Sequence, residues 1–150
     1  MKDRFSVQEW ELLKYLPYQI FLLVAAADGH IDDRELEKFN VQMSELKQLK
    51  SELHRDLLTD FVQEGGNKDV RELLDWENAI NETDIIKPLL KDKLSETEYQ
   101  EFVTSIFLNA LEVAQASGDG PIPHNAVSEK EAEVLTGFAS LYEVDVSFLV

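Results

Sequence analysis

Residues 20–39 read IFLLVAAADGHIDDRELEKF. An apolar, alanine-rich run from Ile20 ends at Asp28-Gly29. A single apolar residue, Ile31, follows, and Asp32-Asp33-Arg34-Glu35 then opens a new amphipathic pattern. The stretch reads as helix, tight polar turn, helix. Residues Ile20 to Val24 are apolar on every side, which marks a helix buried all round. Gly29 is a natural helix stop. Asp32 to Glu35 has the capping-box form, in which the first side chain accepts from the helix end and the glutamate reaches back.

Working outward, the same grammar recurs. Ser6-Val7-Gln8-Glu9, Ser95-Glu96-Thr97-Glu98 and Ser128-Glu129-Lys130-Glu131 are further capping boxes. They predict helices starting near Val7, Glu96 and Glu129. Pro17 ends the first segment or begins the second, a helix expected over about Tyr18 to Ala27. Leu36, Phe39 and Met43 carry the third helix. A break between Lys47 and Ser51 separates it from a fourth through Leu53, Leu57, Leu58 and Phe61. Gly65-Gly66-Asn67 stops that helix, a fifth is expected through Val70 to Ile80, and Thr83 is expected to cap a short one. Tyr99, Phe102, Val103, Ile106, Phe107, Ala110, Leu111 and Ala114 form the widest apolar stripe, as expected of a helix at a bundle centre. The last helix buries Val134, Leu135, Phe138 and Leu141. No window alternates polar and apolar residues as a strand does. The chain is expected to be all-α, one domain of about seven helices.

The chain has 150 residues and is 44% hydrophobic, enough to bury a core rather than remain disordered. Its formal charge is −16, which opposes nucleic-acid backbones and anionic membranes and favours divalent cations or a basic protein surface. There is no cysteine, so thiolate metal sites, disulfides and cysteine nucleophiles are excluded. The most apolar run is too short to span a bilayer, and no secretion signal follows Met1, so a cytoplasmic location is expected. No phosphate loop and no serine-nucleophile motif is present, so a non-enzymatic role is expected. His30, His54 and His124 lack zinc-ligand spacing.

A looser copy of the first turn occurs at Ala114 to Ile122, with Asp119-Gly120-Pro121-Ile122 matching Asp28-Gly29-His30-Ile31. Neither copy is an EF-hand: the earlier ligand positions of the first fall on Val24 and Ala26, and the glutamate position of the second falls on Ala126. Two readings of the acidic residues stand side by side. Capping explains Asp32, Glu35, Ser128 and Glu131, and aspartate-glycine turn chemistry explains Asp28 and Asp119. Alternatively, two turns brought together by a pseudo-twofold repeat would let Asp28, Asp32 and Glu35 share one hard cation, Ca2+ or Mg2+, with Asp119 and, after a longer loop, Glu129 or Glu131.

At these turns the chain resembles the TerB-like family, named for a bacterial tellurite-resistance protein. The resemblance rests on Ala25-Ala26-Ala27-Asp28-Gly29-His30-Ile31 with Glu35 downstream, and on Ala114 to Ile122 with Glu131 downstream. It covers roughly residues 18–144. It implies a single helical domain with a helix-turn-helix repeat, a link to tellurite resistance and stress response, and a divalent metal at Asp28, Glu35, Asp119 and Glu131. A related domain precedes the J-domain of some co-chaperones. The longer loop before Glu131 departs from the family pattern. The alternative expectation is a metal-free acidic scaffold for a basic protein partner.

Overall fold

The computed structural model describes residues 1–27, 33–45, 48–64, 74–116 and 129–146. After a 3-10 turn at Lys2–Arg4 come α1 (Val7–Lys14), α2 (Leu16–Ala25), α3 (Asp33–Ser44), α4 (Glu52–Glu64), α5 (Trp76–Lys93), α6 (Glu96–Ala116) and α7 (Glu129–Leu141). No strand occurs among the described residues, so the all-α expectation holds there.

The architecture follows from two helices that bury more than one face. Every residue of α2 except Tyr18 is buried. Helix α6 packs on α2, α3, α4, α5 and α7, and α2 packs on α1, α3, α4, α6 and α7. Phe102, Val103, Ile106, Ala110 and Ala114 of α6 join Leu16, Ile20, Leu23 and Val24 of α2 in the main core. Each such Leu, Ile or Phe contributes about 1.5–3 kcal/mol by leaving water. A second cluster gathers Phe21, Leu22, Ala25, Phe39 and Val113. Within it Phe21 and Phe39 stack with centroids 4.0 Å apart and planes 15° apart, which fixes α3 against α2.

The ends of the helices are set by the predicted chemistry. Ser6 Oγ accepts from Glu9 N at 3.1 Å while Glu9 Oε1 accepts from Ser6 N at 2.7 Å. Ser95 and Glu98 repeat the exchange at 3.1 and 2.9 Å. Glu98 also accepts from Arg4 Nη1 at 2.9 Å. With Arg4 foremost and the Ser95 N–H next, its carboxyl is held down to about 2. The Asp32 cap and the Ser128 cap lie outside the described residues.

Two helix expectations are corrected. Helix α2 begins at Leu16 rather than Tyr18, with Pro17 in its first turn, where its missing N–H is not needed. Burial of Leu16 outweighs the extended preference that a following proline imposes. The expected short helix capped by Thr83 does not exist as a separate element. Asp75 caps instead, accepting from Glu77 N at 3.0 Å, and one helix runs from Trp76 to Lys93 through Pro88. Thr83 is interior to it, donating its hydroxyl back to the Ala79 carbonyl at 2.8 Å. The start of the expected fifth helix, at Val70, lies outside the described residues.

Candidate functional site

Of the sequence-predicted ligands, Asp28, Asp32 and Asp119 lie outside the described residues, and so does the Glu35 side chain, although its backbone belongs to α3. Glu131 is described, and it occupies the interior at 1% exposure. It lies one turn before Leu135 on the face of α7 that carries Phe138 into the core, so its position is set by packing as well as by the helix end. Among the described residues no group of three His, Asp or Glu stands where it could hold a metal.

The feature that the structure does build is a groove of about 710 Å³ along α6. One side is the helix stripe Glu96, Gln100, Glu101, Thr104, Leu108 and Glu112, and the other is the 48–50 segment. Spacings of four, with neighbours one residue on, make a slanted ridge that winds about 40° round the helix at each step. At about 1.5 Å per residue the row from Glu96 to Glu112 is ~24 Å long. It is the complement of the buried stripe: the same periodicity that drives Phe102, Val103 and Ile106 inward turns these residues outward.

Each boundary of the groove is fixed by bonds. Arg55 Nη1 donates to the Leu49 carbonyl, and Gln48 N donates to the Glu45 carbonyl at 3.0 Å, which holds the 48–50 wall. At the far end Gln100 Nε2 donates to the Glu143 carbonyl at 3.0 Å and Gln100 Oε1 accepts from Asp145 N at 3.3 Å. The chain can turn there because Glu143 adopts a left-handed φ of 57°. At the other end Gln42 Nε2 donates to both the Asn109 carbonyl and Glu112 Oε2, each at 3.1 Å.

The lining is rich in acid. Among the described lining residues Glu96, Glu101, Glu112 and Asp145 are carboxylates and Lys50 is the one cation, while Lys38 Nζ lies 3.9 Å from Glu112 Oε2. Leu108, 37% exposed, is an apolar spot between Glu101 and Glu112. Under the floor, Ser105 Oγ lies 2.6 Å from His54 Nδ1. His54 is buried against the edge of Phe102, and burial pushes its pKa down to about 3. The imidazole is therefore neutral at physiological pH. Two further cavities, beside His54 and beside Gln19, are each about 10 Å³, the size of one water.

No family model, curated protein or solved structure matches this chain.

Sequence reasoning did not single out Glu101, Leu108 or Glu112. The signal was present as the row left over once the apolar stripe of α6 is removed. What the row faces depends on the 48–50 segment and on Asp145, which are far away in the chain.

Proposed function

We propose that this chain is a non-enzymatic helical module that docks a cationic segment of a partner protein in the groove along α6. The observation that supports this reading is the pairing of ligand-sized concavity with charge: four carboxylates against one lysine among the described lining residues, in a space of about 710 Å³. The formal charge of −16 adds long-range attraction for a basic partner. The test is a titration of 15N-labelled protein with an oligolysine peptide at low salt. Saturable shifts grouped on Thr97, Gln100, Thr104 and Leu108, lost in Glu101→Lys, are expected. Shifts scattered over the surface with no saturation would remove the proposal.

A second reading is favoured by the doubled Asp-Gly-x-Ile turn at Asp28 and Asp119. It is a TerB-like arrangement of about seven helices with a pseudo-twofold repeat, holding Ca2+ or Mg2+ between the two turns and linked by resemblance to tellurite resistance or stress response. Calorimetric titration of calcium into metal-free protein tests it. No heat at millimolar calcium, with Asp28→Asn behaving like the parent, would end that reading.

A further inference from the structure

The buried face of α5 carries Ala79, Thr83, Ile86 and Leu90, so Thr83 is its one polar residue. It lines the cavity of about 10 Å³ between α2, α5 and α7, together with Gln19 and Tyr142. All three are buried, Gln19 at 2% exposure. This feature is independent of the groove along α6.

The hydrogen bonds of these three groups leave a specific gap. The Thr83 hydroxyl donates to the Ala79 carbonyl at 2.8 Å, so towards other groups its oxygen can only accept. Burial lifts the Tyr142 hydroxyl to about 12, and a hydrogen bond with Thr83 opposes the rise. With the threonine proton already placed, Tyr142 is the donor in that bond, and its own oxygen keeps a lone pair. Gln19 Nε2 carries two protons and meets no acceptor among the described residues. A buried donor and a phenolic acceptor therefore border one space of water size.

The chemistry of the lining selects the occupant. None of the residues around the cavity is charged, so neither a cation nor an anion finds a counter-charge there. Water both accepts and donates, as the gap requires. The equally small cavity beside His54 lacks such an orphan: Gln42 Nε2 already donates to the Asn109 carbonyl and to Glu112, and His54 Nδ1 has Ser105.

We propose that the Gln19–Thr83–Tyr142 cavity is a binding site for one internal water molecule, which accepts from Gln19 Nε2 and donates to Tyr142 Oη. The chain Gln19, water, Tyr142, Thr83, Ala79 carbonyl then ties α2 to α5 through the residue that follows α7. Its bonds are directional, whereas the apolar contacts of Ala79, Ile86 and Leu90 are not, so it fixes the rotation of α5 on the core. Immobilising the water offsets much of what its bonds contribute, so the chain adds orientation more than stability.

NMR of the isotope-labelled full chain in water tests this. Cross-peaks of the sign given by long-lived water are expected at the Gln19 Nε2 protons and at the Tyr142 ring protons, with rotating-frame spectra separating them from proton exchange. Methionine in Gln19→Met fills the space and needs no acceptor, so the oxygen-17 relaxation dispersion should fall by the amplitude of one water. Circular dichroism checks that this variant keeps its helices. Absence of both cross-peaks in the parent would overturn the site, and so would a dispersion left unchanged in folded Gln19→Met. The parent spectra decide the matter should that variant fail to fold.

Discussion

His54 Nδ1 and Ser105 Oγ meet at 2.6 Å across the α4–α6 interface, the histidine 1% exposed and the serine 9% exposed. The bond supplies a polar partner to a ring that is otherwise surrounded by core. Removing the hydroxyl in Ser105→Ala would leave Nδ1 buried without that partner, a loss of about 1–3 kcal/mol. Urea unfolding is the measurement. His54→Leu with Ser105→Ala should recover part of the loss, because an apolar pair asks for no hydrogen bond. A Ser105→Ala midpoint equal to the parent's would show that the bond contributes nothing.

The same histidine sets a pH dependence. Its folded pKa, about 3, is depressed below the ordinary 6.5 by burial. Below pH 6.5 the unfolded chain therefore binds a proton that the folded chain refuses. Stability from this group is complete above pH 6.5 and falls as the pH drops toward 3. The limiting slope is about 1.4 kcal/mol per pH unit. Comparing urea midpoints of the parent and His54→Leu at pH 7 and pH 5 checks this. The parent should lose stability across that interval and the variant much less. Equal losses would assign the slope elsewhere.

Glu98 offers a second titration, at lower pH. Its carboxyl, held down to about 2 by Arg4 and by the Ser95 N–H, favours the fold at pH values above the ordinary 4.5, and this contribution is lost as pH falls toward 2. Carbon-detected NMR titration should place its midpoint near 2, and Arg4→Ala should move it upward. An unchanged midpoint in Arg4→Ala would leave the Ser95 cap as its cause.

Gln19 is buried on α2, and its Nε2 meets no acceptor among the described residues. Its neighbours around the small cavity include Thr83, Phe138 and Tyr142. An unmatched amide in that setting is destabilising, so Gln19→Met should leave stability unchanged or raise it by up to about 1 kcal/mol. Thermal unfolding measures it. A loss above about 2 kcal/mol would mean the amide has a role in the fold that its contacts do not show.

Gly137 lies mid-helix in α7 because Trp76 occupies the space beside it. A Cβ there would stand 2.8 Å from Trp76 Cζ2. Alanine would gain up to about 1 kcal/mol in helix propensity. Displacing the indole would cost about 1–3 kcal/mol. Gly137→Ala should therefore be net destabilising and should shift the Trp76 fluorescence, while Trp76→Leu beside it should remove the penalty. A stabilised Gly137→Ala with unchanged fluorescence would refute the close contact.

Much of the helix placement was legible because capping and amphipathic burial are local rules. The Ser6 and Ser95 boxes are formed as their residue types require, and the apolar run after Tyr18 is buried on all sides. The segment from Trp76 to Lys93 misled because propensity favours a cap at Thr83. The hydroxyl instead bonds back to Ala79, and one long helix results. His54 was unremarkable in sequence, since its burial depends on α6 passing over it fifty-one residues later.

The sequence by itself determined an acidic, cysteine-free chain that is all-α over the described residues, because periodicity and end-capping act over a few neighbouring residues. Only the tertiary structure decided which charges work together. The row from Glu96 to Glu112 becomes a groove when the 48–50 segment and Asp145 arrive beside it, and Glu131 becomes an interior residue when α7 packs on the core. Such outcomes depend on packing between distant segments, where the balance of buried area and charge is settled by the assembled core.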